Sequence, residues 1–230
     1  MRDLRRRTIT ALIYAALVLL TVGGPPIVLW IVLAAAGGFG VRELNALRGG
    51  RPALVLGAIF FVGLVCIGLL KAAGAVGARP GTADWLPVWL ILAIIPTWAA
   101  DVVAYVVGST VGRRRIAPSV SPGKTLEGTI AGFAACAVVV LAVAVAFGLP
   151  RAAAVIVAIG LGPVGLAGDL LESFVKRRAG VKDSGAILPG HGGLLDRLDS
   201  LTAGAIFVYA VVLAWVLYGF GAQNGIADRF

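Results

Sequence analysis

The sequence predicts an all-α, polytopic integral membrane protein with about seven transmembrane helices. Three observations predict it. Of the 230 residues, 60% are hydrophobic and only 13% charged, with a mean hydropathy of +0.99, whereas soluble domains are nearer half apolar and a quarter charged. The apolar residues fall into seven runs of about 20 residues, the length that crosses roughly 30 Å of hydrocarbon. The 20 Lys and Arg residues then divide unevenly between the two sides that seven alternating spans create.

The runs lie near 8–23, 25–41, 53–71, 86–110, 127–148, 152–175 and 199–220. The first follows "MRDLRRR" and has the outline of a signal peptide. A second apolar run follows after only "GGPP", so an uncleaved anchor is expected. Gly-Pro and Arg-rich breaks separate the later runs and read as loops. Cys66 and Cys136 lie inside apolar runs and read as small packing residues. Trp85, Trp89 and Trp98 read as interface anchors and packing. Residues 1–95 are generic spans and 96–230 carry the functional motifs, the two together forming one compact unit.

With the N-terminus in the cytoplasm, sixteen Lys/Arg fall on the cytoplasmic side and four (Lys71, Arg79, Arg151 and Arg229) on the other, which together make the 20. Positive residues favour the inside, so this orientation is the expected one. It places the loops 111–126 and 176–198 on the same, cytoplasmic face of the plasma membrane. The net charge of +9 is then an adaptation to anionic lipid rather than to nucleic acid.

Charge is concentrated in "GDLLESFVKRRAGVKDSGAILPGHGGLLDRLDS", Gly168 to Ser200, which also holds the single histidine, His191. Ionisable groups at membrane depth are costly and mark function by default. Helical spacing puts Asp169, Glu172, Ser173 and Lys176 on one face, and Asp196, Asp199 and Ser200 repeat the pattern where the last run begins. Asp101, Tyr105 and Gly108 form a similar stripe in the fourth run. These carboxylates either pair with neighbouring Lys and Arg to bind helices together or converge on a hard cation such as Mg²⁺, which also takes substrate phosphates. Lys124, Lys176, Arg177, Arg178, Lys182 and Arg197 surround the same loops. Cations beside carboxylates and Gly-rich backbone suit phosphoryl or nucleotidyl transfer. In "PGHGG", glycine lets backbone approach a ligand closely, and His191 serves either phosphate hydrogen bonding or loop structure.

Two stretches carry a resemblance. Ser173 to Asp199, "SFVKRRAGVKDSGAILPGHGGLLDRLD", resembles the signature of the phosphatidate cytidylyltransferase (CDP-diacylglycerol synthase) family: a Ser, a Lys-Arg pair, Lys-Asp, Pro-x-His-Gly-Gly and Asp-Arg-x-Asp. Upstream, "ADVVAYVVGSTVGRRRIAPSVSPGKTLEG" is similar to the same family's second conserved region. The resemblance covers about residues 98–200. It implies that CTP and phosphatidate give CDP-diacylglycerol and pyrophosphate with Mg²⁺, a second cation remaining open. It further implies Asp169 and Asp196 as metal ligands, with Asp199 and Asp101 as second choices. Lys182, His191, Arg197, Ser121 and Lys124 would hold the CTP phosphates, the first three as catalytic groups. Lys176 and Arg177 would meet the lipid phosphate or the leaving pyrophosphate. Asp183 would orient Lys182, and Ser173, Gly192 and Gly193 would complete the substrate site. The expected partners are CTP, phosphatidate, membrane lipids and a second copy of the chain. Two alternatives stay open: another lipid phosphate, such as an isoprenoid ether lipid, and an ion-coupled transporter.

Overall fold

The computed structural model describes residues 16–47, 50–80, 86–185, 187 and 192–223. Six helices dominate it: α1 (Pro26–Leu47), α2 (Gly50–Ala73), α3 (Val88–Val111), α4 (Leu126–Phe147), α5 (Arg151–Arg178) and α6 (Leu195–Gln223). All six are long and apolar enough to cross a membrane. Each corresponds to one of the expected runs. Of the remaining expected run, 8–23, residues 16–23 are helical and the rest lies outside the described residues.

The loop expected over 111–126 contains a small antiparallel hairpin, β1 (Arg115–Ala117) paired with β2 (Ser121–Thr125), with an irregularity in its register. Pro118 begins the turn, where its fixed φ favours chain reversal. The hairpin ends directly in α4. Thr125 caps that helix, its Oγ1 accepting the Gly128 N–H at 3.2 Å, so one of the helix's orphan donors is met by its own sequence.

Lipid tails give little hydrophobic drive for helix association, so close backbone packing has to supply it. The stripe Gly128–Gly132–Cys136–Val140–Ala144 is the buried face of α4. It lies against Ala100, Ala104 and Gly108 of α3. A Cβ on Gly128 would stand 2.5 Å from the Ala104 carbonyl oxygen, and one on Gly132 would stand 2.8 Å from that of Ala100. Gly168 of α5 is similarly close to α6, where a Cβ would meet the Asp199 carbonyl oxygen at 2.7 Å. Helix α6 is central and packs on α5, α2 and α3, whereas α1 packs mainly on α2. Outward positions such as Ile27, Leu54, Val138, Val145 and Ile159 remain exposed and apolar, as a lipid-facing surface requires.

The two ends of the bundle differ. At one, Lys71 Nζ donates to the carbonyls of Thr21 and Gly24, the latter at 2.7 Å, so a cation closes the end of the 16–23 helical stretch. Gly148, at φ 63°, turns α4 toward α5. Trp89 is fully buried there and donates to the Val76 carbonyl at 2.9 Å, which places it in packing. Cys66 and Cys136 are free and buried, also in packing. The other end gathers the end of α1, the start of α2, the hairpin and the described residues between α5 and α6, and there the polar residues meet.

Candidate active site

The hairpin and the α5–α6 loop are joined by Arg177. Its Nε donates to the Val120 carbonyl at 3.2 Å and its guanidinium also to the Val181 carbonyl at 3.1 Å. The two polar loops therefore form one surface. The base of the hairpin is fixed by Glu127, whose carboxylate accepts the N–H groups of Arg113 and Arg114 at 3.0 and 3.2 Å. That clamp sets the direction in which β2 delivers Lys124, and Lys124 forms an ion pair with Asp169 of α5.

The predicted stripe on α5 is realised as a chain of charges. Ser173 Oγ donates to Asp169 Oδ1 at 3.3 Å. Glu172 is only 1% exposed. Lys176 lies between Glu172 at 2.5 Å and Asp196 at 2.7 Å, the latter from the first turn of α6. Asp199 follows about one turn along α6 and accepts the Ser200 N–H at 2.7 Å. Asp169, Glu172 and Asp199 each bring a carboxylate oxygen within 4.8 Å of the others.

These residues line a cavity of about 490 Å³. Its polar part contains Asp101, Lys124, Asp169, Glu172, Lys176, Asp196, Arg197 and Asp199; its apolar part contains Ala100, Ala104, Phe133, Gly162 and Leu166. Five carboxyl groups and three cationic side chains meet there. Glu172 Oε2 faces Lys176, but Oε1 is buried and accepts no hydrogen bond among the described residues. A buried carboxylate oxygen without a partner costs several kcal/mol unless a cation or donor reaches it. A hard cation with oxygen ligands therefore fits the trio Asp169, Glu172 and Asp199.

Asp196 has a different set of contacts. Besides Lys176, its carboxylate accepts the Ser184 N–H at 3.1 Å and the Gly193 N–H at 2.8 Å. It thus ties both strands of the α5–α6 loop to the start of α6. Gly192 sits at φ 81°, in the left-handed region that favours glycine, and a Cβ there would stand 2.8 Å from Asp196 Oδ2.

The remaining predicted residues are spread around this centre. Arg197 is exposed and borders the cavity. Asp101 and Lys124 line it from α3 and the hairpin. Lys182 and Asp183 are exposed on the loop, and Ser121 is half-buried at the start of β2. His191 lies outside the described residues. Gly193 is buried, and the groups closest to it are side chains of the protein itself: a Cβ there would stand 2.8 Å from both carboxylate oxygens of Glu43.

Glu43, on α1, is the polar residue that sequence reasoning passed over. It is 3% exposed. It accepts the Leu194 N–H at 2.9 Å, the Leu195 N–H at 2.9 Å and the Ser184 hydroxyl at 3.0 Å. A signal was present. Leu29, Leu33, Ala36, Gly40, Glu43 and Leu47 form the buried face of α1 at helical spacing, and a carboxylate on an apolar stripe needs a partner.

The chain is 46% identical over 136 residues to the phosphatidate cytidylyltransferase of Pseudomonas aeruginosa, covering 58% of this chain and 49% of that protein. It is 42% identical over 125 residues to the phosphatidate cytidylyltransferase of Haemophilus influenzae, covering 51% and 43%. With that of Synechocystis it shares 43% over 131 residues, covering 55% and 44%. The matched region spans about half the length of these relatives. The model of the cytidylyltransferase family matches residues 58–215, a stretch holding α3 to α5, the hairpin, the carboxylate trio and most of α2 and α6. The chain belongs to the cytidylyltransferase family.

Proposed function

We propose that this protein transfers a cytidylyl group from CTP to phosphatidate, releasing pyrophosphate, in a reaction that requires Mg²⁺. One observation carries the reading: a single cavity joins carboxylates and cations at the polar end of the bundle to an apolar wall within the membrane-spanning part. A water-soluble polyanion and a lipid headgroup with its chains can meet there. The names of the relatives supply the choice of CTP and phosphatidate among such pairs.

On this reading Asp169, Glu172 and Asp199 hold the cation, with Asp101 and Asp196 beside them. Mg²⁺ held there would supply positive charge to the phosphoryl oxygens. Lys124 and Arg197 hold the triphosphate from the hairpin and from α6. Lys182 and His191, on the adjoining loop, extend that binding. Lys176 bridges Glu172 and Asp196, and Arg177 holds the two loops together. A phosphate oxygen of the lipid attacks the α-phosphorus in line. The bond to the bridging oxygen breaks, and pyrophosphate leaves with the electron pair. A phosphate monoester is already largely ionised near neutral pH, so no residue has to remove a proton. Catalysis rests on positioning and on fixed charge.

The decisive assay uses purified protein in detergent with phosphatidate, Mg²⁺ and each of the four nucleoside triphosphates. Pyrophosphate release is expected with CTP and only when phosphatidate is present. Equal turnover with ATP or GTP, or release without lipid, would overturn the reading.

The same reading sets the polar end in the cytoplasm, where CTP is made. The excess of Lys and Arg on the hairpin and the α5–α6 loop supports that side. Ser119 and Arg178 are exposed, while the native Cys66 and Cys136 are buried. Ser119→Cys and Arg178→Cys are therefore expected to react with an impermeant thiol reagent in inside-out vesicles and not in right-side-out ones. The reverse pattern for either position rejects the orientation.

A further inference from the structure

We propose that Glu43 is a positioning residue of this active site: it anchors the α5–α6 loop and the start of α6 so that Asp199 and Arg197 are held where the transfer occurs. The proposal rests on the transferase reading above.

A carboxylate 3% exposed on an apolar helix is expensive unless its oxygens are met. Those of Glu43 are met by groups that all belong to one loop: the Ser184 hydroxyl, from the near strand, and the Leu194 and Leu195 N–H groups, from the far strand. Leu195 is the first residue of α6, so Glu43 supplies from another helix the acceptor that a helix start needs. Its negative charge also lies at the positive end of the α6 dipole. The carboxylate of α6 itself, Asp196, is engaged by the Gly193 and Ser184 N–H groups. Two carboxylates, one from α1 and one from α6, thus divide the backbone donors of the loop between them.

Two glycines of the loop lie at the same contact. A Cβ on Gly185 would stand 2.6 Å from Glu43 Oε1, and one on Gly193 would meet Ser184 Oγ first, with both Glu43 oxygens at 2.8 Å. Glycine at these two positions leaves room for the loop backbone to lie against Glu43 and Ser184. Asp199 follows Leu195 by four residues, so the position of the helix start sets where Asp199 meets Asp169 and Glu172. A displacement of about 1 Å in such a group is enough to cost about 10²-fold in rate.

Glu43→Gln keeps the shape but turns one acceptor into a donor facing other donors. Hydrogen exchange and steady-state kinetics are measured on the full chain in detergent. The expected result is faster exchange confined to peptides covering 184–198, by about tenfold. With it, kcat should fall by about tenfold or more while the KM for CTP changes by less than about threefold. Unchanged exchange in 184–198 overturns the anchor. Faster exchange with unchanged kcat overturns the positioning role. Should Glu43→Gln fail to fold, Ser184→Ala decides, since it removes one bond and leaves both N–H contacts. The same local loosening with a smaller loss of kcat supports the proposal, and wild-type behaviour in both overturns it. Wild-type protein without nucleotide turnover would overturn the transferase reading instead, and the exchange measurement then decides the anchor by itself.

Discussion

Asp199→Asn is expected to lower kcat by about 10³-fold, or about 4 kcal/mol, in a protein that remains folded and membrane-inserted. Asp199 is the cleanest member of the carboxylate trio to test. Asp169 also pairs with Lys124, and Glu172 also pairs with Lys176. The hydrogen bond that Asp199 accepts at Oδ1 from the Ser200 N–H can be kept by the asparagine oxygen. The substitution therefore removes a negative charge from a site built to hold a cation among phosphates, with little change in shape. The Mg²⁺ concentration for half-maximal rate should rise in parallel. Activity within about tenfold of wild type would show that Asp199 is not a ligand.

Lys176→Met should damage stability more than any other single change at the polar end. The Lys176 ammonium lies between Glu172 and Asp196, whose side chains are 1% and 8% exposed. Removing it leaves two buried carboxylates without their shared cation. Breaking a buried pair in this way costs about 3–5 kcal/mol, because the remaining charge is stranded. For a chain of this size that corresponds to a drop of roughly 6–20 °C in the melting midpoint. The midpoint in detergent is the measurement. Adding Glu172→Gln to Lys176→Met removes one stranded charge and should recover part of the loss, since residues in one network do not act additively. A midpoint within about 2 °C of wild type for the single variant would mean that the two carboxylates do not depend on Lys176.

Much of this architecture can be read directly from the residues. Apolar runs locate the six described helices because a spanning segment has to satisfy its own backbone, and only length and hydropathy are then needed to find it. The helical spacing of Asp169, Glu172, Ser173 and Lys176 places them on one face, and the ion pairs of α5 follow that face. The hairpin was harder. Three residues pair with five across a short turn, too few for a period-two pattern to stand out. The contacts of Asp196 were also hidden. Asp at a helix start announces a cap, but its partners Ser184 and Gly193 are fixed by the course of the loop. Glu43 was least legible of all. Its donors are two main-chain N–H groups and one hydroxyl, and main-chain donors leave no mark in a sequence.

The reach of Glu43 along the chain has a consequence for biosynthesis. Its three donors lie 141, 151 and 152 residues further on. Chains are extended at about 5–20 residues per second, so this carboxylate waits on the order of ten to thirty seconds for its partners. During that interval α1 to α5 can be inserted with an unmet charge among them. The site is therefore completed only when α6 emerges, and until then the nascent chain carries a polar group whose partners are not yet made. A quality-control factor that recognises exposed polar groups within the bilayer could distinguish the incomplete bundle from the complete one on this residue alone.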